Sequence, residues 1–456
     1  MAESEKLQEN QMGTKPVGSL LFRMAVPMVL SMLVQALYNV VDSIYISRVS
    51  ESAVTALSLA FPIQNLMIGT SIGLAVGVSA LLSRYLGSGE MEKVRKMAPT
   101  GIFLSACGMA LFMLFGIFGA GPFFRMQSTV TETVEGGTAY IAICTIASVG
   151  IFFEVLFERL LQATGRTIYT LVTQGVGAVL NILLDPVFIF GYFGIPAMGI
   201  AGAAVATVIG QIVAAILAFL FNWKKNPEAK VDFHGWRPEW SLIREVLEIG
   251  VPSIAMMAVG SFMTFGMNQI LQRFSETATG VFGIYYKVQS FIFMPVFGLN
   301  NGMIPIVAYN YGARKPERIG KTIRLSCTAA FVVMTLGFVV FQAVPGAVLG
   351  IFDPSDEFMA IGCRALRIIS WSFMLASFGV VLGAVFQALG NGVYSTIVAL
   401  ARQLLVLLPV AYLLSLTGNL DLVWWAFPIA ELVSAAVTGL FMRRTYVTKL
   451  KPLYEK

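Results

Sequence analysis

Histidine is almost missing from this chain. The single one, His234, falls in a polar stretch (223–240), so no apolar segment contains an imidazole for acid–base catalysis or for a metal site. Cysteine is scarce too, and Cys107, Cys144, Cys327 and Cys363 stand far apart with neither disulfide-framework nor zinc-motif spacing. Charge is the third shortage: 12% of the residues are Asp, Glu, Lys or Arg, against 57% hydrophobic, with mean hydropathy +0.78. So little polar surface cannot dissolve a globular chain, and the protein belongs in lipid. A membrane enzyme would need clustered acids or histidines, which the sequence lacks, so neither an enzyme nor a bound cofactor is expected. The opening "MAESEKLQEN" is acidic and polar, without the apolar core of a removable signal peptide.

What the chain has instead is a series of twelve apolar segments long enough to cross ~30 Å of hydrocarbon. They run 20–47, 53–83, 97–121, 134–161, 168–192, 199–222, 242–271, 278–310, 325–351, 358–389, 394–416 and 422–442. Open sheet edges are not tolerated in lipid, and these runs are far longer than barrel strands. An all-α membrane bundle of twelve transmembrane helices follows. With the N-terminus inside, only Arg48, Arg125, Arg273, Arg364 and Arg367 lie on the outer side, and only Lys287 and Arg402 within spans. The rest of the 31 Lys and Arg gather on the inner side, which puts both termini in the cytoplasm of a plasma-membrane protein. The net charge of +6 is therefore a topology signal and requires no nucleic-acid partner.

The chain also repeats itself. A shift of 225 residues lays Pro27 on Pro252, "RVSESA" (48–53) on "RFSETA", Gln64 on Gln289, Gly87 on Gly312, and "QATG" (162–165) on "QALG". Matches that include Arg, Glu, Gln and Gly in one register mark a duplicated six-helix unit. Six is even, so the halves are parallel repeats with the substrate path expected between them. The organisation reads as a tail (1–17), an N-lobe (18–222), a linker (223–240), a C-lobe (241–445) and a second tail (446–456). Gly73, Gly77, Gly298 and Gly302 would let helices approach closely, and Pro27, Pro252 and Pro305 mark bends.

"ALYNVVDSIYISRVS" (36–50) places Asp42 in the first span, where a carboxylate costs ~2.5–3.5 kcal/mol unless it faces inward. Gln35, Asn39 and Asp42 fall on one helical stripe of the first span; Gln174, Asn181 and Asp185 fall on one of the fifth. Asp42 and Asp185 each lie 19 residues beyond an inner arginine, Arg23 or Arg166, and so share a depth. Pro186 withholds an N–H from the Ile182 carbonyl, and the sixth span adds the Ala203 carbonyl and the Thr207 hydroxyl. Two buried acids side by side cannot both stay ionised cheaply, so the pair takes a proton or a metal cation, with Na+ the metal candidate at Asp42, Asn181 and Asp185. The bland alternative is that Asp42 and Asn181 tie two helices together. At the 225 offset the C-lobe has Met267 and Val410 in place of the acids. The polar residues left to line a substrate cavity are Gln35, Asn39, Gln174, Lys287, Gln289 and Asn301. Glu158 is read as pairing with Arg159 or the headgroups, while Glu154 and Glu431 have no assigned role. The 22 Met and 34 Phe suit packing, or a permissive apolar cavity.

"YNVVDSIYIS", "LNILLDPVFIFG" (180–191), "GIAGAAVAT" (199–207) and "FMPVFGLNNGMIPIVAYNYGA" (293–313) resemble segments of the multidrug and toxic compound extrusion (MATE) transporters, over nearly the whole chain. The resemblance implies an antiporter that exchanges H+ or Na+ for amphipathic, often cationic compounds by alternating access of two rocking lobes. It implies that Asp42, Asn181 and Asp185 carry the ion; the residues themselves suggest that loading the acid pair changes the bend of the first span at Pro27, with Pro186 as a second hinge. Where another branch of the family has a C-lobe acid, this sequence has Met267. The expected partners are small molecules and membrane lipids, with the protein a monomer. The rival reading is a flippase of lipid-linked precursors, which would need more basic residues inside spans than Lys287 and Arg402.

Overall fold

In the computed structural model, which describes residues 10–352 and 355–455, every regular element is a helix. The spans are α1 (Val17–Ser47), α2 (Glu51–Ser88), α3 (Met91–Phe118), α4 (Thr131–Ile146 with Val149–Ala163), α5 (Thr167–Phe190) and α6 (Ile200–Lys225). The second half repeats them as α7 (Trp240–Leu271), α8 (Glu276–Gly312), α9 (Pro316–Ala343), α10 (Asp356–Ile369 with Ser372–Ala388), α11 (Gly392–Leu400 through Ser415) and α12 (Ala426–Thr445). Twelve crossings result when each bent pair counts as one, as the apolar runs indicate.

Two spans differ from the straight helices implied by hydropathy. The axis of α4 bends by 44° between Ile146 and Val149, and that of α10 by 53° between Ile369 and Ser372. Neither break has a proline. At both, the backbone tightens to three-residue bonds, Ser148 N–H to the Thr145 carbonyl and Trp371 N–H to the Ile368 carbonyl. In α10 the Gln342 amide of α9 caps the break, donating to the Arg367 carbonyl (2.7 Å) and the Ser370 hydroxyl (3.0 Å). A third irregularity is a π-helical stretch, Ala401–Leu407, inside α11.

The duplication is visible atom by atom. Ser50 and Ser275 cap α2 and α8 in the same way, accepting from the N–H of Ala53 and Ala278. A Cβ on Gly87 would sit 1.9 Å from the Tyr309 carbonyl oxygen, and one on Gly312 would sit 1.9 Å from that of Arg84. Both pairs obey the 225 offset, so a pseudo-twofold axis relates them. Along the same seam Gly73 and Gly77 meet the backbone of α7, and Gly298 and Gly302 that of α1. The lobes thus meet through α1 and α2 against α7 and α8, with small residues allowing backbone-to-backbone approach.

The connection between the halves is shorter than expected, because α6 continues to Lys225 and α7 begins at Trp240. It is also anchored. Glu228 pairs with Arg166, Trp236 packs on Phe103, and His234 is fully exposed beside Asp232. Most of the expected tail 1–17 lies outside the described residues, but its last part is packed rather than loose. Asn10 and Gln11 donate to the Thr164 and Gly165 carbonyls of the first half. Arg318 of the second half donates to the carbonyls of Met12 and Lys15.

Candidate functional site

On α5, Asn181 and Asp185 stand one turn apart and both are buried, at 3% and 0% exposure. With the Asn181 amide turned so that its oxygen faces α6, it accepts from the Thr207 N–H (3.0 Å) and hydroxyl (3.2 Å). Its nitrogen then donates to Asp185 Oδ2 at 3.1 Å. One carboxylate oxygen of Asp185 is therefore oriented by a chain from α6 through α5. The other, Oδ1, is buried and has no hydrogen-bond partner among the described residues; the same holds for Oδ1 of Asp42 on α1. α1 packs against α5, and Tyr38, one turn before Asp42, lines the same cavity as Asn181. Ala203, fully buried on α6, is one turn before Thr207.

Beside these acids a cavity of about 80 Å³ opens between α1, α4, α5 and α6. Its polar wall contains Gln35, Tyr38, Glu154, Glu158, Gln174, Asn181, Thr207 and Gln211. Gly177 and Gly210 bring α5 and α6 together at its back, a Cβ on either meeting the other's carbonyl oxygen within 3.2 Å. The tyrosine and the two glutamates were not among the residues assigned to a site from sequence. Their signal was the four-residue spacing of Glu154 and Glu158 within one apolar run.

The expected partner of Glu158 is wrong. Glu158 is 3% exposed and turned inward, accepting from the Thr173 hydroxyl (2.6 Å) and the Gln174 amide (2.8 Å). Arg159 instead donates to Gln162 (3.0 Å) and, across the seam, to Asn301 (3.1 Å). Asn301 accordingly bridges the lobes. Lys287 is exposed and Gln289 partly so, on α8; Asn39 is exposed on α1. Met267 is fully buried. Arg402 is taken by Glu431 of α12 at 3.0 Å.

Among the described residues no three His, Cys, Asp or Glu side chains come together. What Asp42 and Asp185 offer is a pair of unengaged carboxylate oxygens near an amide and a hydroxyl. Hard oxygen donors without nitrogen or sulfur suit a proton or an alkali cation rather than a transition metal.

A duplicated twelve-helix bundle with buried acids and a cavity in one half is the architecture of a membrane transporter. The MatE family model matches residues 27–187 and 252–413, one stretch in each repeat, and the chain belongs to that family. It is 23% identical over 432 residues to the multidrug export protein MepA of Staphylococcus aureus (strain MRSA252), covering 94% of each chain. MepA of Staphylococcus saprophyticus is 23% identical over 419 residues, 92% of each. The same fold is seen in an outward-facing multidrug resistance MATE transporter of the MOP superfamily (TM-score 0.91, 23% identity, 98% of this chain and 99% of that one). It is also seen in a MATE protein in the straight conformation (TM-score 0.90, 24% identity, 98% and 99%).

Proposed function

We propose that the protein is a secondary active exporter that exchanges H+ or Na+ for amphipathic, largely cationic organic compounds by alternating access. It sits in the plasma membrane with both termini in the cytoplasm. The observation that carries this reading is the pair of buried carboxylate oxygens, on Asp42 and Asp185, that have no partner among the described residues and lie beside a polar cavity. The relatives named as multidrug export proteins support the substrate class.

Asp185, held by Asn181, and Asp42 lie one turn beyond the cavity-wall residues Asn181 and Tyr38, and when no cation is bound there their negative charge attracts an organic cation in the cavity. A proton or Na+ at the same oxygens cancels that charge and weakens the hold on the drug. Ion and drug thus compete for one set of carboxylates, which is the condition for exchange. Pro27 leaves a missing N–H in α1, the helix that presents Asp42. Neutralising Asp42 changes what α1 must pack against, and bending at Pro27 reshapes the cavity. The seam of α1, α2, α7 and α8 is where the lobes rock.

The test is efflux of a fluorescent amphipathic cation from everted vesicles or cells. Asp42→Asn and Asp185→Asn each cut ion-driven efflux at least about tenfold, with protein level unchanged. Unaltered efflux in Asp42→Asn overturns the reading. Removing sodium, compared with collapsing the pH gradient, identifies the ion.

A further inference from the structure

The two halves use the same place in the fold differently. α5 and α11 begin 225 residues apart, at Thr167 and Gly392, so Gly177 and Ala178 of the cavity wall correspond to Arg402 and Gln403. On α6 and α12 the same offset pairs Ala206 with Glu431. Where the N-lobe has small residues and open space, the C-lobe has an ion pair.

That pair is incompletely satisfied. Arg402 Nη1 donates to Glu431 Oε1 at 3.0 Å, and this is the one hydrogen bond of the guanidinium among the described residues. Four of its five N–H donors are unspent, and the side chain keeps 24% of its surface accessible, against 11% for Glu431. Arg402 and Gln403 lie on the π-helical stretch of α11, an irregularity that recurs at binding sites. Gln403 Oε1 is buried without a partner among the described residues, and with the Tyr286 hydroxyl it flanks Gly260 of α7, 3.7 and 3.8 Å from where a Cβ would be. The next residue, Ser261, takes a hydrogen bond from Asn65 of the N-lobe at 3.2 Å. The site therefore borders the space between the lobes.

We propose that Arg402 is a subsite for the carboxylate of substrates, with Glu431 as its resident occupant in the empty protein. The compounds exported then include zwitterionic amphiphiles, their ammonium group toward Asp42, Asp185, Glu154 and Glu158 and their carboxylate on Arg402. The inference rests on the export reading above and adds to it a place in the C-lobe that holds the carboxylate of such substrates. Arginine is suited to the task, because its planar fork accepts a carboxylate through two parallel bonds where Glu431 uses one. A pair that merely ties α11 to α12 would respond alike to loss of either partner. A subsite with an internal competitor responds in opposite directions.

The full-length protein in nanodiscs is titrated with Nα-dansyl-lysine, a zwitterion with an apolar fluorophore whose ε-ammonium and carboxylate are separated by the length of the side chain, and with its methyl ester, which is purely cationic. Arg402→Gln weakens dansyl-lysine at least about tenfold, whereas Glu431→Gln tightens it about fivefold, since Arg402 is then free. Arg402→Lys, which keeps the charge but loses the two parallel bonds and guards against misfolding, falls between wild type and Arg402→Gln, weakening the zwitterion about threefold to fivefold. The ester changes less than about twofold in all three variants. The inference is overturned if Glu431→Gln weakens the zwitterion, if Arg402→Gln moves both probes equally, or if wild type binds the ester alone. Wild type that binds neither probe overturns the export reading instead.

Discussion

One oxygen of Asp185 is held by Asn181 and the other has no hydrogen-bond partner among the described residues, and this asymmetry sets what each neighbour does. Asn181→Ala removes the donor to Oδ2 and leaves the Thr207 hydroxyl without its partner, a loss of about 1–3 kcal/mol for groups this buried. The expected result is a lowered melting temperature together with efflux reduced by about tenfold or more, whereas Thr207→Ser keeps the hydroxyl and restores most of both. Glu158→Gln is a different case. The chain still accepts from Thr173 but loses its charge and the charge-assisted bond from Gln174. Binding of a purely cationic probe is expected to weaken about tenfold while the fold persists, as read by titration and thermal melting. Asp42 and Asp185 stand out in the sequence because a charge deep inside an apolar run has to be accounted for, and Asn181 because it shares a helical stripe with Asp185. Glu154 and Glu158 do not, because an acid near the end of a span can turn to headgroups or to the interior. That rotation is invisible when every face of the helix is apolar.

At the scale of the helix, the same limit explains which elements were legible. Span number, order and duplication follow from hydropathy and the constant 225 offset, both strong signals. The breaks in α4 and α10 leave none, because no proline marks them and the one in α10 depends on a contact from Gln342; the π-helical stretch of α11 holds Arg402 and is followed by Pro409, but neither residue specifies a π turn in advance. The seam glycines lie between these extremes: their pairing across the offset could be read, but the backbone each one touches could not. Their role is measurable. At Gly87 or Gly312 an added Cβ would fall 1.9 Å from a carbonyl oxygen, so the lobes must part to admit it. Gly175 and Gly283 have nothing within 4 Å of that position. Gly87→Ala and Gly312→Ala should each lower the melting temperature of the purified protein by several degrees, as overpacking of about 1–3 kcal/mol does. Gly175→Ala and Gly283→Ala should leave it unchanged or slightly raised, since helix propensity favours alanine. Equal behaviour of the two sets would show that the seam is not tight.

For the whole molecule, the contacts that join the lobes are distributed unevenly. On the face where α2 and α8 end and α7 begins, Arg159 reaches Asn301, Tyr85 donates to Glu245 at 2.5 Å, and Lys96 pairs with Glu239 at 2.8 Å. Residues 10–15 add a strap held by Thr164 and Gly165 on one lobe and Arg318 on the other. In the opposite half the bond from Asn65 to Ser261 joins them. Given the proposed orientation and the proposed alternating access, the strapped face is cytoplasmic, and opening toward the cytoplasm would require these bonds to break together. Their number makes the closed face a cooperative element, biased by each contact and controlled by none alone. Removing Arg159, Lys96 and residues 1–15 together should therefore shift the population toward cytoplasmic opening, while Arg159→Ala alone does so only slightly. A cysteine placed at Gln211, on the cavity wall of a protein otherwise free of cysteine, reports the shift through a membrane-impermeant maleimide. Labelling from the cytoplasmic face in inverted vesicles should rise several-fold in the combined variant and fall from the outside by a similar factor. A rise from both faces would mean that the bundle has loosened rather than rocked, and no change would show that the strap and its neighbouring bonds do not hold the gate.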